Sequence, residues 1–342
     1  MPSDFEELDL SRVRTISLGE RGSVVTIREF SDPLSGSEGG SRGRREIPAG
    51  FDARGIEDLA GAIRECALAG NREIIWMMGA HVVKCGLSRY VIELMRGGFI
   101  TAVAMNGAAA IHDFEIASFG ETSEDVARNL ERGTFGFARE TAEGCFTAVG
   151  EGRAHGLGLG ESLARALVRG NAPHADYSIL AAANRFHVPA TVHVAIGTDI
   201  LHQHPAFDGA AWGELSARDF RIFAARVERL GRGGGVAVNA GSAVICPEVF
   251  LKAFSVARNL GAPFNRLVTA NLDMTQHYRA RMNVLARPSG FGGASIAIEL
   301  WAMTPAALGT LLAEVPAPLG LGRVRLAEGG TVTGFLVEAA GL

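Results

Sequence analysis

The chain has 342 residues, 33 basic against 37 acidic side chains for a formal net charge of −4, and 47% hydrophobic residues, the balance of a globular protein that buries a sizeable core. A mildly acidic chain has no global attraction for nucleic acid or an anionic membrane, and no apolar run reaches the ~18 residues of a membrane helix. The acidic start MPSDFEELDL is unlike a basic leader, so a cytoplasmic protein without nucleic-acid or membrane partners is expected.

Residues 23–27 alternate like a strand, and 31–46 (SDPLSGSEGGSRGRRE) are rich in Gly, Ser and Arg, which predicts a flexible loop. Ile56, Leu59, Ala60 and Ile63 recur at helical spacing and predict an amphipathic helix over 54–69. Buried strands are expected at 73–78 and 99–105, with a helix at 87–97 between them. The same rhythm returns with strand 190–195, helix 216–230, strand 236–239, helix 248–260 and strand 266–270. Alternating helices and nearly continuous apolar strands predict an α/β fold with a doubly wound, mostly parallel sheet. Gly156-Leu157-Gly158-Leu159-Gly160 lacks the third glycine of a dinucleotide fingerprint and reads as a helix start capped near Ser162, while 231–235 reads as a flexible connection.

Ligands bind such sheets at the carboxyl ends of the strands. There the chain places Gly79-Ala80-His81 with Lys84 and Cys85, then Asn106-Gly107-Ala108 leading to His112-Asp113-Phe114-Glu115. Further on come Asp199 with His202 and His204, Gly241-Ser242, and Asn271 to His277. Small residues let backbone N–H groups approach a phosphate, and carboxylates can hold ribose hydroxyls or a substrate amine. The four cysteines show no metal-ligand spacing, and Asp199, His193, His202 and His204 lack a clear ligand set, so no metal is expected. Lys84 and Lys252 are the only two lysines and read as solvated surface cations, and Cys246 reads as a core thiol at a helix start.

The stretches GAHVVKCG, GGFITAVAMNGAAAIHDFE, HVPATVHVAIGTD, VAVNAGSAVICPEVFLKAFSVARNL and LVTANLDMTQ resemble the deoxyhypusine synthase family, in its deoxyhypusine-synthase-like branch, over about residues 8–290. The resemblance implies an NAD-binding doubly wound domain, a homotetramer, and chemistry on a polyamine. It carries cofactor contacts onto Gly79, Ala80, His81, Cys85, Asn106, Gly107, Ala108, Asp199, Gly241, Ser242, Thr269 and Ala270. It also carries catalytic roles onto Asp113, His112 and Glu115, and substrate contacts onto Asp273 and His277. The imine-forming lysine of the true synthases is missing: 279–287 (RARMNVLAR) contains none, and Ile245 and Cys246 replace a lysine–histidine pair. The hypusine reaction is therefore not expected. The stretch AIHDFE is also similar to NAD-dependent ornithine cyclodeaminases.

Residues 296–338, with PAPLGLG followed by GFLVE, resemble the C-terminal end of allophanate hydrolase. The expected organisation is an N-terminal arm and loop over 1–50, the NAD-binding domain over 51–290, and a short β-rich segment over 291–342. The expected function is an NAD-dependent transferase, oxidoreductase or deaminase acting on an amine or amino acid by hydride abstraction. A catalytically inactive NAD-binding scaffold is the alternative.

Overall fold

A computed structural model describes residues 5–30, 33 and 54–299, and the backbone of 319–325 and 331–337. All but Pro33 of the expected loop at 31–46 lies outside the described residues, as do 300–318, 326–330 and 338–342 of the C-terminal segment. The elements run α1 (Leu18–Arg21), β1 (Ser23–Thr26), α2 (Arg54–Ala69), β2 (Glu73–Met78), α3 (Ala80–Lys84), α4 (Ser88–Arg96), β3 (Ala102–Asn106), α5 (Gly107–Phe119) and β4 (Glu121–Glu124). They continue with α6 (Val126–Glu131), α7 (Arg139–Ala154), α8 (Leu159–Arg169), α9 (Ile179–Arg185), β5 (Ala190–His193), α10 (Gly209–Gly233), β6 (Gly235–Ala240), α11 (Ile245–Asn259) and β7 (Leu267–Asp273). A helical stretch of α12 (Tyr278–Ala280), a π-helical turn (Arg281–Ala286) and α13 (Arg287–Ser289) leads to β8 (Ala294–Glu299), β9 (Leu319–Arg325) and β10 (Thr331–Val337).

Six strands form one parallel sheet in the order β5-β3-β2-β6-β7-β8. Counted along the chain, this is the doubly wound order 3-2-1-4-5-6, and its switch point falls between β2 and β6. The expected fold class is thereby shown. The apolar run of β2 follows from burial on both faces: Ile74 packs with Leu59 and Cys66 of α2, while Ile75 and Met77 pack with Phe223 of α10 and Phe250 and Phe254 of α11. A third apolar cluster joins Met105 of β3 and Val192 of β5 to α4, α5, α7, α8 and α9. β1 and β4 make a separate antiparallel pair, and β9 and β10 another. β8 lies beyond residue 290, yet it completes the main sheet through its register with β7.

One local expectation is exceeded and two fail. The helix expected at 216–230 is a 25-residue helix, because Asp208 caps it at Ala211 N and so starts it earlier. The glycines at 231–235 are packed: a Cβ at Gly235 would stand 2.0 Å from the carbonyl oxygen of Glu73. Ser162 does not cap α8, since its hydroxyl donates to the Gly158 carbonyl; the buried Asp219 carboxylate accepts from Gly160 N instead. Among the described residues, no helix is long and apolar enough to cross a membrane.

Candidate functional site

The loops on either side of the switch point touch. Gly79 caps α3, and a Cβ there would lie 2.1 Å from the carbonyl oxygen of Gly241, itself held at φ +65°. A buried amide chain fixes this turn: Asn239 Nδ2 donates to Ser242 O (2.9 Å) and to Asn271 Oδ1 (2.6 Å), and Asn271 Nδ2 donates to Gln276 Oε1 (2.8 Å). The rim at the switch is therefore backbone and small side chains, Gly79, Ala80 and Gly241, with buried Ser242 beneath and exposed His81 and Cys85 at its edge. Such a surface suits a dinucleotide phosphate, which needs close backbone approach and free first-turn N–H groups. The residues present fit the expected cofactor there.

Neighbouring residues on a helix point about 100° apart, so His112, Asp113 and Glu115 on α5 part company. Asp113 is fully buried and accepts from Ser178 Oγ (2.6 Å), Ile179 N (2.7 Å) and Leu180 N (3.0 Å), tying α5 to the start of α9. Burial nonetheless pushes its carboxyl up to about 6. The expectation that Asp113 faces the crevice is overturned by this position. Glu115 is equally inward: its Oε1 receives Arg21 Nη1 at 2.5 Å and Thr141 Oγ1 at 2.7 Å, and its Oε2 receives the Thr122 hydroxyl. His112 is the partly exposed member of the three and reaches open space, and Glu115, though fully hydrogen-bonded, also borders the same space.

That space is a cavity of about 210 Å³ above β3 and β5, lined among others by Lys84, Ala108, His112, Ser123, Asp199 and Ile200. His112 Nδ1 lies 2.7 Å from Thr122 Oγ1, and Nε2 has no partner among the described residues. Burial lowers its imidazole to about 4. Asp199 rests against the first residue of α5, where a Cβ on Gly107 would be 2.0 Å from Oδ2. Its side chain is 8% exposed and Oδ2 has no hydrogen-bond partner, so desolvation raises the carboxyl to about 6. His202 Nδ1 accepts from the backbone N–H of Gly197 and of Asp199, each at 3.0 Å. A neutral His202 therefore carries its proton on Nε2, which stands 3.8 Å from Asp199 Oδ2, beyond a hydrogen bond. Ser123 takes φ +64°, an uncommon backbone state for a non-glycine residue.

The remaining sequence candidates fall elsewhere. Asn106 caps α5, its Oδ1 accepting from Ala109 N at 2.8 Å. Thr269 and Ala270 are fully buried in the middle of β7, which continues to Asp273, so they offer no surface to a cofactor and correct the placement of that strand end. Asp273 accepts from Met274 N, and His277 is exposed; both lie at or beyond the end of β7, apart from the cavity. His193 stacks edge-on to Phe223, and His204 packs against Phe137 and Phe146, so the four-residue set with Asp199 and His202 does not converge. Cys246 is buried, its Sγ 3.5 Å from Met78 O. Sequence reasoning missed Thr122, Arg21 and the cavity position of Lys84. Only Arg21, a buried charge needing a partner, follows a rule that sequence could carry, and its partner lies 94 residues away.

The profile of the allophanate hydrolase C-terminal domain matches residues 267–342. The match begins at Leu267, the first residue of β7, earlier than the 296–338 segment read from the sequence, and so takes in β7 and β8 of the main sheet. No curated protein matches the chain. Among solved structures, AgrE bound to ornithine and NAD+ is similar at 16% identity and TM-score 0.47, covering 74% of this chain and 32% of AgrE. A candidate LOR/SDH protein from Methanococcus maripaludis S2 is similar at 13% identity and TM-score 0.44, covering 79% and 70%. A candidate deoxyhypusine synthase from Entamoeba histolytica follows at 9% identity and TM-score 0.36, covering 71% and 74%. The chain spans about a third of the length of AgrE.

Proposed function

We propose that the protein is an NAD(H)-dependent enzyme acting on an amine or amino acid. The observation that carries this reading is the position of the cavity. It opens at the carboxyl ends of β3 and β5, beside the switch point of a doubly wound sheet, and it presents an unpartnered buried carboxylate, Asp199, with the free Nε2 of His112. Gly79, Ala80 and Gly241 would hold the pyrophosphate, with Asn239 steadying the turn from below. When bound, NAD+ supplies a hydride acceptor for the carbon that carries the substrate nitrogen. The chain's own residues do the rest: Asp199 holds positive charge, the α5 start excludes bulk water from Asp199, and His112 accepts a hydrogen bond at Nε2. Transfer to a protein lysine through an enzyme imine stays outside the proposal, because 279–287 carries no lysine and Lys252 lies on α11, paired with Glu248.

Calorimetric titration of NAD+ and NADH, followed by NADH formation with a panel of primary amines and amino acids, tests the reading. Millimolar or tighter dinucleotide binding is expected, and absence of binding would remove the cofactor and with it the proposal. A non-catalytic NAD-binding scaffold is favoured by one observation: Asp113 and Glu115 are spent on structural hydrogen bonds. Binding without turnover on any amine would select that second reading. Homotetrameric assembly stays part of the proposal, to be read from the mass in solution.

A further inference from the structure

We infer that the cavity beside α5 is a receptor for a primary ammonium group, seated between His112 Nε2 and the Asp199 carboxylate, which line it together, with Thr122 the positioning residue that fixes the accepting face of His112. The inference deepens the amine-oxidising reading and rests on it for the reaction, though not for the binding chemistry.

A threonine hydroxyl has one proton to give. Thr122 gives it to Glu115 Oε2, because that carboxylate, already paired with Arg21, has no proton to offer in return. Toward His112 the hydroxyl oxygen is then an acceptor, so Nδ1 must be the donor across the 2.7 Å contact. A neutral imidazole has a single N–H. With it committed to Thr122, Nε2 is a bare lone pair aimed at the cavity. The chain Arg21–Glu115–Thr122–His112 thus sets a tautomer from a buried ion pair that itself stands in the cavity wall.

Asp199 supplies the second acceptor. His112 Nε2 and Asp199 Oδ2 have no hydrogen-bond donor among the described residues: the facing His202 Nε2 stops 3.8 Å from Oδ2, and the nearby cation Arg21 is committed to Glu115. An ammonium brings three N–H donors and the positive charge that a desolvated carboxylate needs. A carboxylate or phosphate at the same place would meet lone pairs. Lys84 also lines the cavity, near enough to bear on His112, and makes no ion pair among the described residues, which leaves it for an anionic group of the same ligand. The charged groups that bear on His112 are Lys84, Arg21 and His81, which disfavour its protonation, and Glu115, which favours it. Burial wins, so the ring stays neutral and does not repel a cation. Asp199 carries its charge only above about 6, so ammonium binding strengthens as pH rises through that value.

The test uses the full chain with 15N-labelled histidine and needs no dinucleotide, so its failure and that of the cofactor proposal are distinguishable. Long-range 1H–15N spectra, with the His112 signals assigned by their loss in His112→Asn, report the tautomer directly. The expected result is a protonated Nδ1 and a bare Nε2 at neutral pH. n-Propylammonium should shift Nε2 and propionate should not, and Asp199→Asn should abolish the response. Thr122→Val should scramble the tautomer and weaken propylammonium binding about tenfold, the loss of one hydrogen bond. Thr122→Ser should restore both. A protonated Nε2 in the unaltered protein, or a response to propionate and none to propylammonium, would overturn the inference. Should Thr122→Val fail to fold, the tautomer of the unaltered chain and the serine variant still decide it.

Discussion

At the scale of single residues, the two aspartates near α5 separate holding a fold from holding a ligand. Asp113 has three donors and no access; Asp199 lines the cavity, and its buried Oδ2 has no donor. Asp113→Asn keeps the shape but turns an N–H2 toward a backbone N–H that can only donate, and should cost about 1–3 kcal/mol in urea unfolding while leaving dinucleotide binding intact. Asp199→Asn should stabilise the fold and abolish propylammonium binding. Its folded carboxyl titrates near 6 against 3.8 for the free group, so between about pH 4 and 6 the folded chain keeps a proton that the unfolded chain has lost. Stability from this group therefore falls as pH rises through that window. The asparagine variant should gain on the unaltered protein across it, by on the order of 1–3 kcal/mol, and hold the gain above pH 6. His112, lowered to about 4, and His193, lowered to about 3, tilt the absolute curve the other way, since there the unfolded state binds the extra protons. The difference between the two proteins cancels them. A difference that shrank toward neutral pH would show that Asp199 has a partner in the folded state.

At the scale of elements, glycine positions divide by what surrounds them. Gly79 faces the backbone of Gly241 at 2.1 Å from an added Cβ, so Gly79→Ala must push the two switch-point loops apart. A loss of about 1–3 kcal/mol and weaker NAD(H) binding are expected, read by denaturation and by calorimetry. Gly150 in α7 meets nothing within 4 Å, and Gly150→Ala should stabilise by about 0.5–1 kcal/mol through helix propensity alone. The strands were legible in the sequence because burial on both faces writes itself as apolar runs such as EIIWMM, and the strand–helix rhythm implied the parallel sheet. Helices α7 and α9 were not legible, and of α8 only the start at the 156–160 glycines was read. The buried face of α7 is built from small residues, as in Ala142, Cys145 and Ala148, and α9 is buried all round through Ile179–Ala183, so neither gives periodic contrast. The site was half legible. Strand-end loops pointed to the right rim, but HDFE looked like one cluster because a linear reading does not show that α5 begins at Gly107 and turns each side chain a different way.

At the scale of the whole molecule, the cavity depends on a segment far from the sheet. α1 and β1 bring Arg21 against Glu115, both side chains 1% exposed, and β1 pairs with β4 to set Thr122 opposite Val25. The N-terminal arm thus forms part of the wall and also supplies the charge that orders the hydrogen bonds behind it. Arg21→Ala should leave Glu115 buried without a counter-ion and cost about 3–5 kcal/mol, seen as a lower Tm. Replacing both members, as Arg21→Met with Glu115→Leu, removes the unpaired charge and should recover most of that loss, because a buried ion pair gives back little beyond its own desolvation. Stability and binding then part. Without Glu115 the Thr122 proton has no fixed acceptor, so His112 loses its single tautomer even in a well-folded chain. The double variant should melt near the unaltered protein, give a mixed His112 signal, and bind propylammonium more weakly. A double variant that both folds and keeps a bare Nε2 would show that Thr122 orients the ring unaided, and that the arm serves the cavity as wall alone.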